Sequence, residues 1–233
     1  MNGKNRVKAS KAAMEVAAAT RDRLLDVAER LFAERGFNAV SIRDITREAG
    51  ANLGAINYHF GSKDGLIIAV LERRIAPLTD QRLKSLDAVD AAAKTGRPEL
   101  EAVLEAFFRP AVEQAMDPKL GGHTLIKIMA RLLVEPNPAV MTTVRRHFEP
   151  VVKRFDSALL RAMPQLTADE VFWRMHLLIG ALHHSLLLLG RKPPGGRQLP
   201  LDVDTYVKRF VAFAAAGFRA VLPGESEQRL RPQ

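Results

Sequence analysis

Polar side chains that could recognise a nucleic acid are concentrated in one short segment, residues 52–59. If this segment is a helix, its Asn, Tyr and His side chains share one face and offer hydrogen-bond donors and acceptors to base edges and phosphates. Gly54 is small enough to let such a helix approach a groove closely. The other residues of this face are Asn52, Ala55, Asn57, Tyr58 and His59. Their chemistry favours DNA reading, and an ordinary helical hairpin with a polar surface remains the alternative.

The neighbouring residues predict the helices and the turn that would position this segment. Ser41 can cap a first helix, and Asp44 can reach back to it in a capping-box arrangement. Gly50 can end that helix in a left-handed conformation. The apolar side of the second helix consists of Leu53, Ile56 and Phe60, at spacings of three and four residues.

Lys63 is expected in the first turn of the next helix, after Gly61 as a stop and Ser62 as a cap. A cation at a helix N-terminus is unfavourable by itself. A phosphate bound there would remove the objection, because the lysine and the backbone N–H groups would both face an anion. Lys63 is therefore a candidate phosphate contact.

The remaining sequence predicts further helices and no strands. Thr20 is expected to cap a helix over residues 21–35. The helix after Ser62 is interrupted by Pro77, which should kink or divide it. Its buried side is assigned to Leu66, Ala69, Val70, Ile75, Leu78, Leu83 and Leu86. Helix starts are also expected near Pro98, at His123, at Pro138 after Asn137, after Thr167 with Glu170 in a capping box, and after Asp202. The fold class predicted is all-α, with about nine helices.

These helices are expected to form two domains with extensions at both ends. Residues 20–66 form the N-terminal helix-turn-helix domain, and residues 67–222 form a C-terminal helical domain. Residues 1–19 are predicted to be a flexible basic arm, and residues 223–233 a disordered tail.

Composition narrows the function classes. The net charge is +9, but residues 21–66 carry seven Lys/Arg and seven Asp/Glu, so DNA binding is inferred from the pattern and not from bulk charge. The chain has no cysteine, which excludes disulfides and thiol catalysis. The sequence contains no P-loop, Rossmann glycine run, Gly-x-Ser-x-Gly or His-Glu-x-x-His motif. We therefore expect a cytoplasmic protein that is not an enzyme, uses no cofactor and does not span a membrane.

The segment 168–189 is apolar nearly all round, so its helix needs neighbours on two sides. One neighbour can be the helix predicted over 203–221. A second copy of the same pair would supply the other and form a two-fold, four-helix contact between subunits. The alternative is a helix buried centrally within a single domain. A homodimer also suits the first motif, because it would read two half-sites.

The histidines of the second domain raise the question of a metal or a ligand. His176 and His183 lie two helical turns apart and could join His147, but no acidic residue or cysteine completes a metal-binding spacing, so we predict no metal. Core histidines or polar groups lining an apolar pocket are the alternatives. Arg131 and Glu135 could pair on a helix surface or line the pocket. The pocket candidates are Phe107, Phe108, Met129, Arg131, His147, Phe148, Phe172, Trp173, His176 and His183.

The segment from Arg21 to Ile67, RDRLLDVAERLFAERGFNAVSIRDITREAGANLGAINYHFGSKDGLI, resembles the TetR family of bacterial transcriptional regulators. The later run RLLVEPNPAV…RRHFEPVVKRF looks like the CecR-like branch of that family. The resemblance implies that residues 52–59, including Leu53, lie in the major groove. It also implies that Tyr58, His59 and Lys63 contact DNA, while Arg43 and Thr46 anchor the backbone. Asn57 departs from the family, because many members carry Tyr there.

The resemblance also implies the function of the whole chain. We expect a homodimeric regulator, a repressor, which binds a palindromic double-stranded operator and is released by a small-molecule effector. The alternative is a helical ligand-binding or interaction module whose hairpin contacts protein and not DNA.

Overall fold

The computed structural model describes residues 3–94, 96–189, 196 and 202–221. Within these residues the chain forms nine α-helices and one 3₁₀ turn and contains no strand, which confirms the all-α prediction. The helices are α1 (Gly3–Arg35), α2 (Ile42–Glu48), α3 (Leu53–Phe60), α4 (Lys63–Ala93), α5 (Leu100–Met116), α6 (Thr124–Val134), α7 (Pro138–Ala162), α8 (Ala168–Leu187) and α9 (Val203–Arg219), with the 3₁₀ turn at Pro118–Leu120.

Short polar side chains begin several of these helices, as predicted. The Asn137 side chain accepts hydrogen bonds from two backbone N–H groups at the start of α7, and Asp202 accepts from the backbone of α9. Thr167 accepts from the backbone N–H of Glu170, 3.2 Å away. The predicted capping box there is half wrong, because the Glu170 carboxylate accepts hydrogen bonds from Arg174.

The predicted start of the first helix is also wrong. α1 begins at Gly3, so residues 3–19 are helical where an arm was expected. Thr20 lies inside the helix, and its hydroxyl donates to the Val16 carbonyl over 2.9 Å. The Lys/Ala-rich composition of this stretch has a high helix propensity, which explains the extension. The predicted tail over 223–233 lies outside the described residues.

The chain divides into two compact units, each built from two stretches of sequence. Unit 1 comprises Met1–Pro77 and Lys119–Phe148, and unit 2 comprises Leu78–Pro118 and Glu149–Gln233. The segment 119–148, which the sequence analysis placed in the second domain, is part of unit 1, where α6 packs against α1. Pro77 does not divide α4, which continues through it from one unit into the other.

A buried carboxylate ties α4 to α1 in unit 1. Glu29 of α1 is almost completely buried and accepts hydrogen bonds from Arg73 and Arg74 of α4. The Nε atom of Arg74 lies 2.7 Å from Glu29, and Arg73 also pairs with Asp26 at 2.7 Å. Two arginines therefore share one buried acid, which fixes the register between the two helices.

Aromatic contacts and helix-end contacts hold unit 2 together. Phe107 packs edge-on against Phe155 with ring centroids 5.0 Å apart, and Phe108 packs against Phe210 at 4.9 Å. Arg174 of α8 donates to three carbonyls at the C-terminal end of α9, at 2.7–3.0 Å. A cation is favourable there, because the last carbonyls of a helix lack intrahelical partners and carry partial negative charge.

We predict that Glu29→Gln lowers the free energy of unfolding by about 3 kcal/mol, because it leaves two partly buried guanidinium groups without their shared acid. Glu34→Gln is the matched control. Glu34 pairs with Arg30 at the exposed surface, so its loss should cost less than about 1 kcal/mol. Urea denaturation of both variants measures the difference, and equal losses would contradict the structural role given to Glu29.

Candidate nucleic-acid interface

The hairpin begins at the predicted capping box. The Ser41 hydroxyl accepts from the Asp44 backbone N–H at 3.2 Å, and the Asp44 carboxylate accepts from the Ser41 backbone N–H at 3.1 Å. Hydrogen bonds from Ser41, and then that from Arg47 at 2.6 Å, lower the pKa of the Asp44 carboxyl below its ordinary value. The first turn of α2 is thereby held by reciprocal bonds, as the sequence predicted.

The turn between α2 and α3 depends on a left-handed glycine and a second cap. Gly50 has a φ of +61°, a conformation that glycine adopts without strain. Asn52 then caps α3, and its side-chain oxygen accepts from the Ala55 backbone N–H at 2.9 Å. Asn52 is exposed as predicted, but its oxygen is committed to the cap, so its amide N–H₂ is the part left to donate outward.

α3 presents the predicted polar face to solvent. Ile56 is completely buried against unit 1, whereas Tyr58 is 80% exposed and its ring contacts that of His59. Leu53, predicted on the apolar side, is half exposed, which places an apolar side chain at the start of the exposed face. A methyl-rich side chain in that position suits contact with a thymine methyl group. The exposed residues of α3 and its cap are Asn52, Leu53, Gly54, Asn57 and Tyr58, with Ala55 and His59 partly exposed.

The residues expected to anchor the DNA backbone occupy different environments. Arg43 is exposed on α2. Thr46 is buried, and its hydroxyl donates to the Arg43 carbonyl at 3.2 Å, so it supports α2 from within. Lys63 is half-buried at the start of α4, and its Nζ donates to the Phe37 carbonyl at 2.6 Å. An ammonium group has three donors, so this bond leaves Lys63 two further N–H groups.

Three side chains converge on the last residues of α1 and the turn that follows them, residues 34–38. Besides Lys63, Arg131 donates to the Glu34 carbonyl at 3.0 Å, and the Glu135 carboxylate accepts from the Asn38 backbone N–H at 2.7 Å. We call Lys63, Arg131 and Glu135 the turn clamp. Its members come from α4, α6 and the end of α6, so the entry to the hairpin is held by two other parts of unit 1.

Gly36 makes the turn clamp possible. It has a φ of +87°, and a Cβ atom there would lie 2.2 Å from the Glu135 carboxylate. The sequence analysis left Arg131 and Glu135 as a surface pair or as pocket groups. In the structure both contact the turn, a tertiary contact that their i, i+4 spacing alone does not indicate.

The ten candidate effector residues are divided between the two units. Met129 and Phe148 are half-buried in unit 1, and Nδ1 of His147 donates to the Thr143 carbonyl at 2.9 Å. Phe107 and Phe108 are buried in unit 2, and His183 of the same unit is half-buried. Phe172, Trp173 and His176 form an exposed aromatic cluster on α8.

Arg82 is a buried charged residue that the sequence analysis missed. It is 6% exposed on α4, where Leu83 had been assigned to the buried side, and Leu83 is half-buried. Its Nε donates to the Phe107 carbonyl at 2.8 Å, and its guanidinium lies 4.0 Å from the centroid of the Phe107 ring. The available signal was an arginine in register with the apolar residues Ile75, Leu78 and Leu86.

Neither a metal-binding cluster nor a membrane-spanning helix is present in the described part of the chain. Among those residues, no three His, Asp or Glu side chains are grouped so that they could hold a metal ion. No helix there has both the length and the apolar composition needed to cross a bilayer.

Two family models match the chain. The one described as bacterial regulatory proteins, tetR family, matches residues 24–70, which contain α2 and α3. The one described as tetracyclin repressor-like, C-terminal domain, matches residues 105–217. The two matches do not overlap and together cover about two thirds of the chain.

Individual proteins show the same likeness. The HTH-type transcriptional repressor KstR2 of Rhodococcus jostii is 45% identical over 51 residues, 22% of this chain and 25% of that protein, so the match spans about a quarter of the relative's length. The HTH-type transcriptional regulator BetI of Brucella anthropi is 26% identical over 190 residues, 80% of this chain and 91% of that protein. The solved structure of the fatty acid degradation regulator FadR from Bacillus halodurans shares the fold, with a TM-score of 0.63, 15% identity, and coverage of 87% of this chain and 97% of that chain.

We predict that the capping box makes the stability of the hairpin depend on pH. The folded-state pKa of Asp44 lies below the ordinary value of 3.8, so its contribution is present above that pH and is lost as the pH falls through the lowered folded-state pKa. Asp44→Asn should therefore destabilise the protein more at pH 6 than at pH 3. Urea denaturation of both proteins at the two pH values measures this, and a difference that does not shrink at low pH would contradict the assigned role.

Proposed function

The chain belongs to the TetR family of bacterial regulatory proteins, and we propose that it represses transcription by binding a DNA operator as a homodimer that a small molecule releases. Members of this family are transcriptional regulators and not enzymes. The proposal extends from the family to the operator, the dimer and the effector of this particular chain. Its site of action is expected to be the bacterial cytoplasm, where the DNA is.

The exposed face of α3 is the observation that carries the DNA-binding proposal. Its buried side is fixed by Ile56, while Asn57 and Tyr58 project into solvent from a helix that Asn52 caps at its start and Gly61 ends. Asn57 offers the amide pair that can recognise adenine in the major groove. Arg43 and the two remaining donors of Lys63 would contact phosphates on either side, which fixes the register of α3 on the duplex.

A second candidate function uses the same hairpin to contact protein. The half-exposed Leu53 and the exposed Tyr58 ring give this alternative an observation in its favour, because aromatic and apolar side chains are frequent at protein interfaces. The dependence of binding affinity on salt concentration distinguishes the two candidate functions. Binding to phosphates weakens steeply as salt rises, because each contact releases a counterion, whereas an apolar protein contact does not show that slope.

The dimer proposal is supported by the outer surfaces of α8 and α9. Leu177 of α8 and Phe213 of α9 are 67% and 66% exposed, and Phe172 and Trp173 extend the same apolar character along α8. Large apolar side chains exposed together on one helix mark a candidate interaction site. A second copy of the same two helices would cover it in a two-fold, four-helix contact, as expected from the sequence.

We propose that an effector bound in unit 2 favours a conformer whose two reading helices are wrongly spaced for successive major grooves. Coupling between two such sites is typically ~1–3 kcal/mol and reciprocal, so DNA weakens effector binding by the same factor. Phe107, Phe108 and His183 are the effector candidates that lie inside unit 2. Pro77 is a candidate pivot, because it lies where α4 leaves unit 1. Assignment to the CecR-like branch stays a prediction.

The experiment that tests the function is selection of bound sequences from a random duplex library. We expect a two-fold symmetric motif. Asn57→Ala should change the base preference at one position of each half-site, because it removes a base contact. Lys63→Ala should weaken binding to all sequences about equally. It should also reduce the slope of log binding constant against log salt concentration by about one, because one phosphate contact is lost.

The controls separate contact from folding. Lys63 also belongs to the turn clamp, so its variant must be compared with wild type at a temperature where urea denaturation shows both fully folded. Lys153→Ala, at an exposed pair on α7, is the matched lysine control and should leave DNA affinity unchanged. Failure of a folded dimer to enrich any sequence, including after it has been denatured, freed of small molecules and refolded, would refute the DNA-reading function.

We predict that Leu177→Glu converts the dimer to a monomer, because it places two charges in an apolar contact near the two-fold axis. Leu133→Glu is the control, since Leu133 is also exposed, at 79%, but lies on α6. Sedimentation equilibrium reports the mass of each variant. A dimeric Leu177→Glu protein would place the subunit contact elsewhere.

A further inference from the structure

Arg82 carries a buried charge that no acid neutralises. Among the side chains that the structure describes, it is the only buried Lys or Arg, and it forms no ion pair with any of them. Burial lowers its pKa to about 9, and no nearby carboxylate opposes that effect. The guanidinium is still protonated at neutral pH, so unit 2 holds a positive charge in its interior.

The surroundings of Arg82 leave most of its donors uncommitted. A guanidinium has five N–H donors in a planar fork, and the Phe107 carbonyl takes only the one on Nε. The Phe107 ring covers one face of the guanidinium at 4.0 Å from its centroid and itself packs edge-on against Phe155. Among the described residues, no side chain or carbonyl accepts a hydrogen bond from the four terminal N–H groups.

His183 of α8 is close enough to interact electrostatically with Arg82. Burial and the positive charge of Arg82 both lower the pKa of His183, so its imidazole is neutral at pH 7. A neutral imidazole can donate one hydrogen bond and accept another without adding charge. α4, α5, α7 and α8 thus bring together a cationic fork, a neutral polar ring and two phenylalanine rings, all within unit 2.

An unpaired buried cation is costly, and a protein gains stability by replacing it with an apolar side chain unless something else pairs with it. Glu29 in unit 1 illustrates the paired alternative, since two arginines neutralise it. A carboxylate matches the guanidinium fork because two parallel N–H···O bonds form at once. Arg82 has the properties of a binding residue whose partner is a ligand and not a side chain.

We propose that unit 2 binds an organic monoanion whose carboxylate pairs with the Arg82 fork and whose apolar body packs against Phe107 and Phe155. One buried cation balances one negative charge, which favours a carboxylate over a doubly charged phosphate. The inference rests on the proposed function in one respect, since it names the chemical class of the effector. The observations from which the binding site is inferred all concern residues of unit 2.

The test measures ligand binding to the full-length protein without DNA. The probes are the sodium salts of the linear carboxylates from butanoate to decanoate and of benzoate, each compared with its uncharged primary amide. We expect at least one carboxylate to raise the melting temperature of the wild type more than its amide does. Titration calorimetry then gives its affinity, which should be about 10- to 100-fold weaker in Arg82→Met, because charge-assisted hydrogen bonds are lost.

The melting temperature of the Arg82→Met variant without ligand is a second test. Arg82→Met should melt at a higher temperature than wild type when no ligand is added, because methionine removes an unpaired buried charge while keeping a similar volume. Arg82→Lys should keep the preference for carboxylates but bind them more weakly, since it retains the charge and loses the fork. Arg154→Met is the matched control on an exposed arginine of α7 and should bind the probes as wild type does.

The outcomes distinguish the site from the regulatory function. The proposal is overturned if no carboxylate stabilises the wild type beyond its amide, or if Arg82→Met binds the best carboxylate as tightly as wild type. Should Arg82→Met not fold, the comparison of carboxylates with amides and the Arg82→Lys variant still decide. A carboxylate that binds through Arg82 but leaves operator affinity unchanged supports the site and contradicts its role as the effector site. Operator binding without any carboxylate response refutes the site and leaves DNA reading intact.

Discussion

The shared carboxylate of Glu29 is the interaction on which the DNA-reading part of the molecule depends. It joins α1 to α4, and α1 packs against α2, α3 and α6. α4 in turn begins with Lys63, which contacts the turn that leads into the hairpin. The position of α3 is thus set by a short series of buried and half-buried polar contacts as well as by the apolar core. Such contacts are directional, so they fix an orientation that apolar packing alone leaves looser.

Two charged side chains are buried in the described part of this chain, and only one of them is paired with a charge of opposite sign. Glu29 is surrounded by donors, and its contribution is structural because a missing partner would leave a charge exposed to an apolar interior. Arg82 has an aromatic face and one carbonyl instead of an acid. In this chain the paired buried charge positions two helices, and the unpaired one is the contact proposed for a ligand of opposite sign.

Local signals in the sequence predicted the hairpin and most helix starts. The bonds at Ser41, Thr167 and Asp202 each span only three residues, so the residues that make them are visible together. Tertiary contacts could not be predicted in that way. Arg131 and Glu135 suit a pair on one helix, yet both contact a turn almost 100 residues earlier. Arg82 and Leu83 differ by one position, which is a rotation of about 100° on a helix, and apolarity favoured the wrong one.

The interleaving of the two units has a consequence for how such chains can be recombined. Unit 1 is complete only with residues 119–148, because α6 covers α1 and supplies Arg131 and Glu135 to the turn. A single crossover after Pro77, in evolution or in a designed chimera, would join this α1 to a foreign α6 and lose both contacts. An exchange that preserves unit 1 must therefore replace two separate stretches, 78–118 and 149–233, and keep residues 119–148 between them. The boundary that matters for domain exchange is three-dimensional and is crossed three times by the chain.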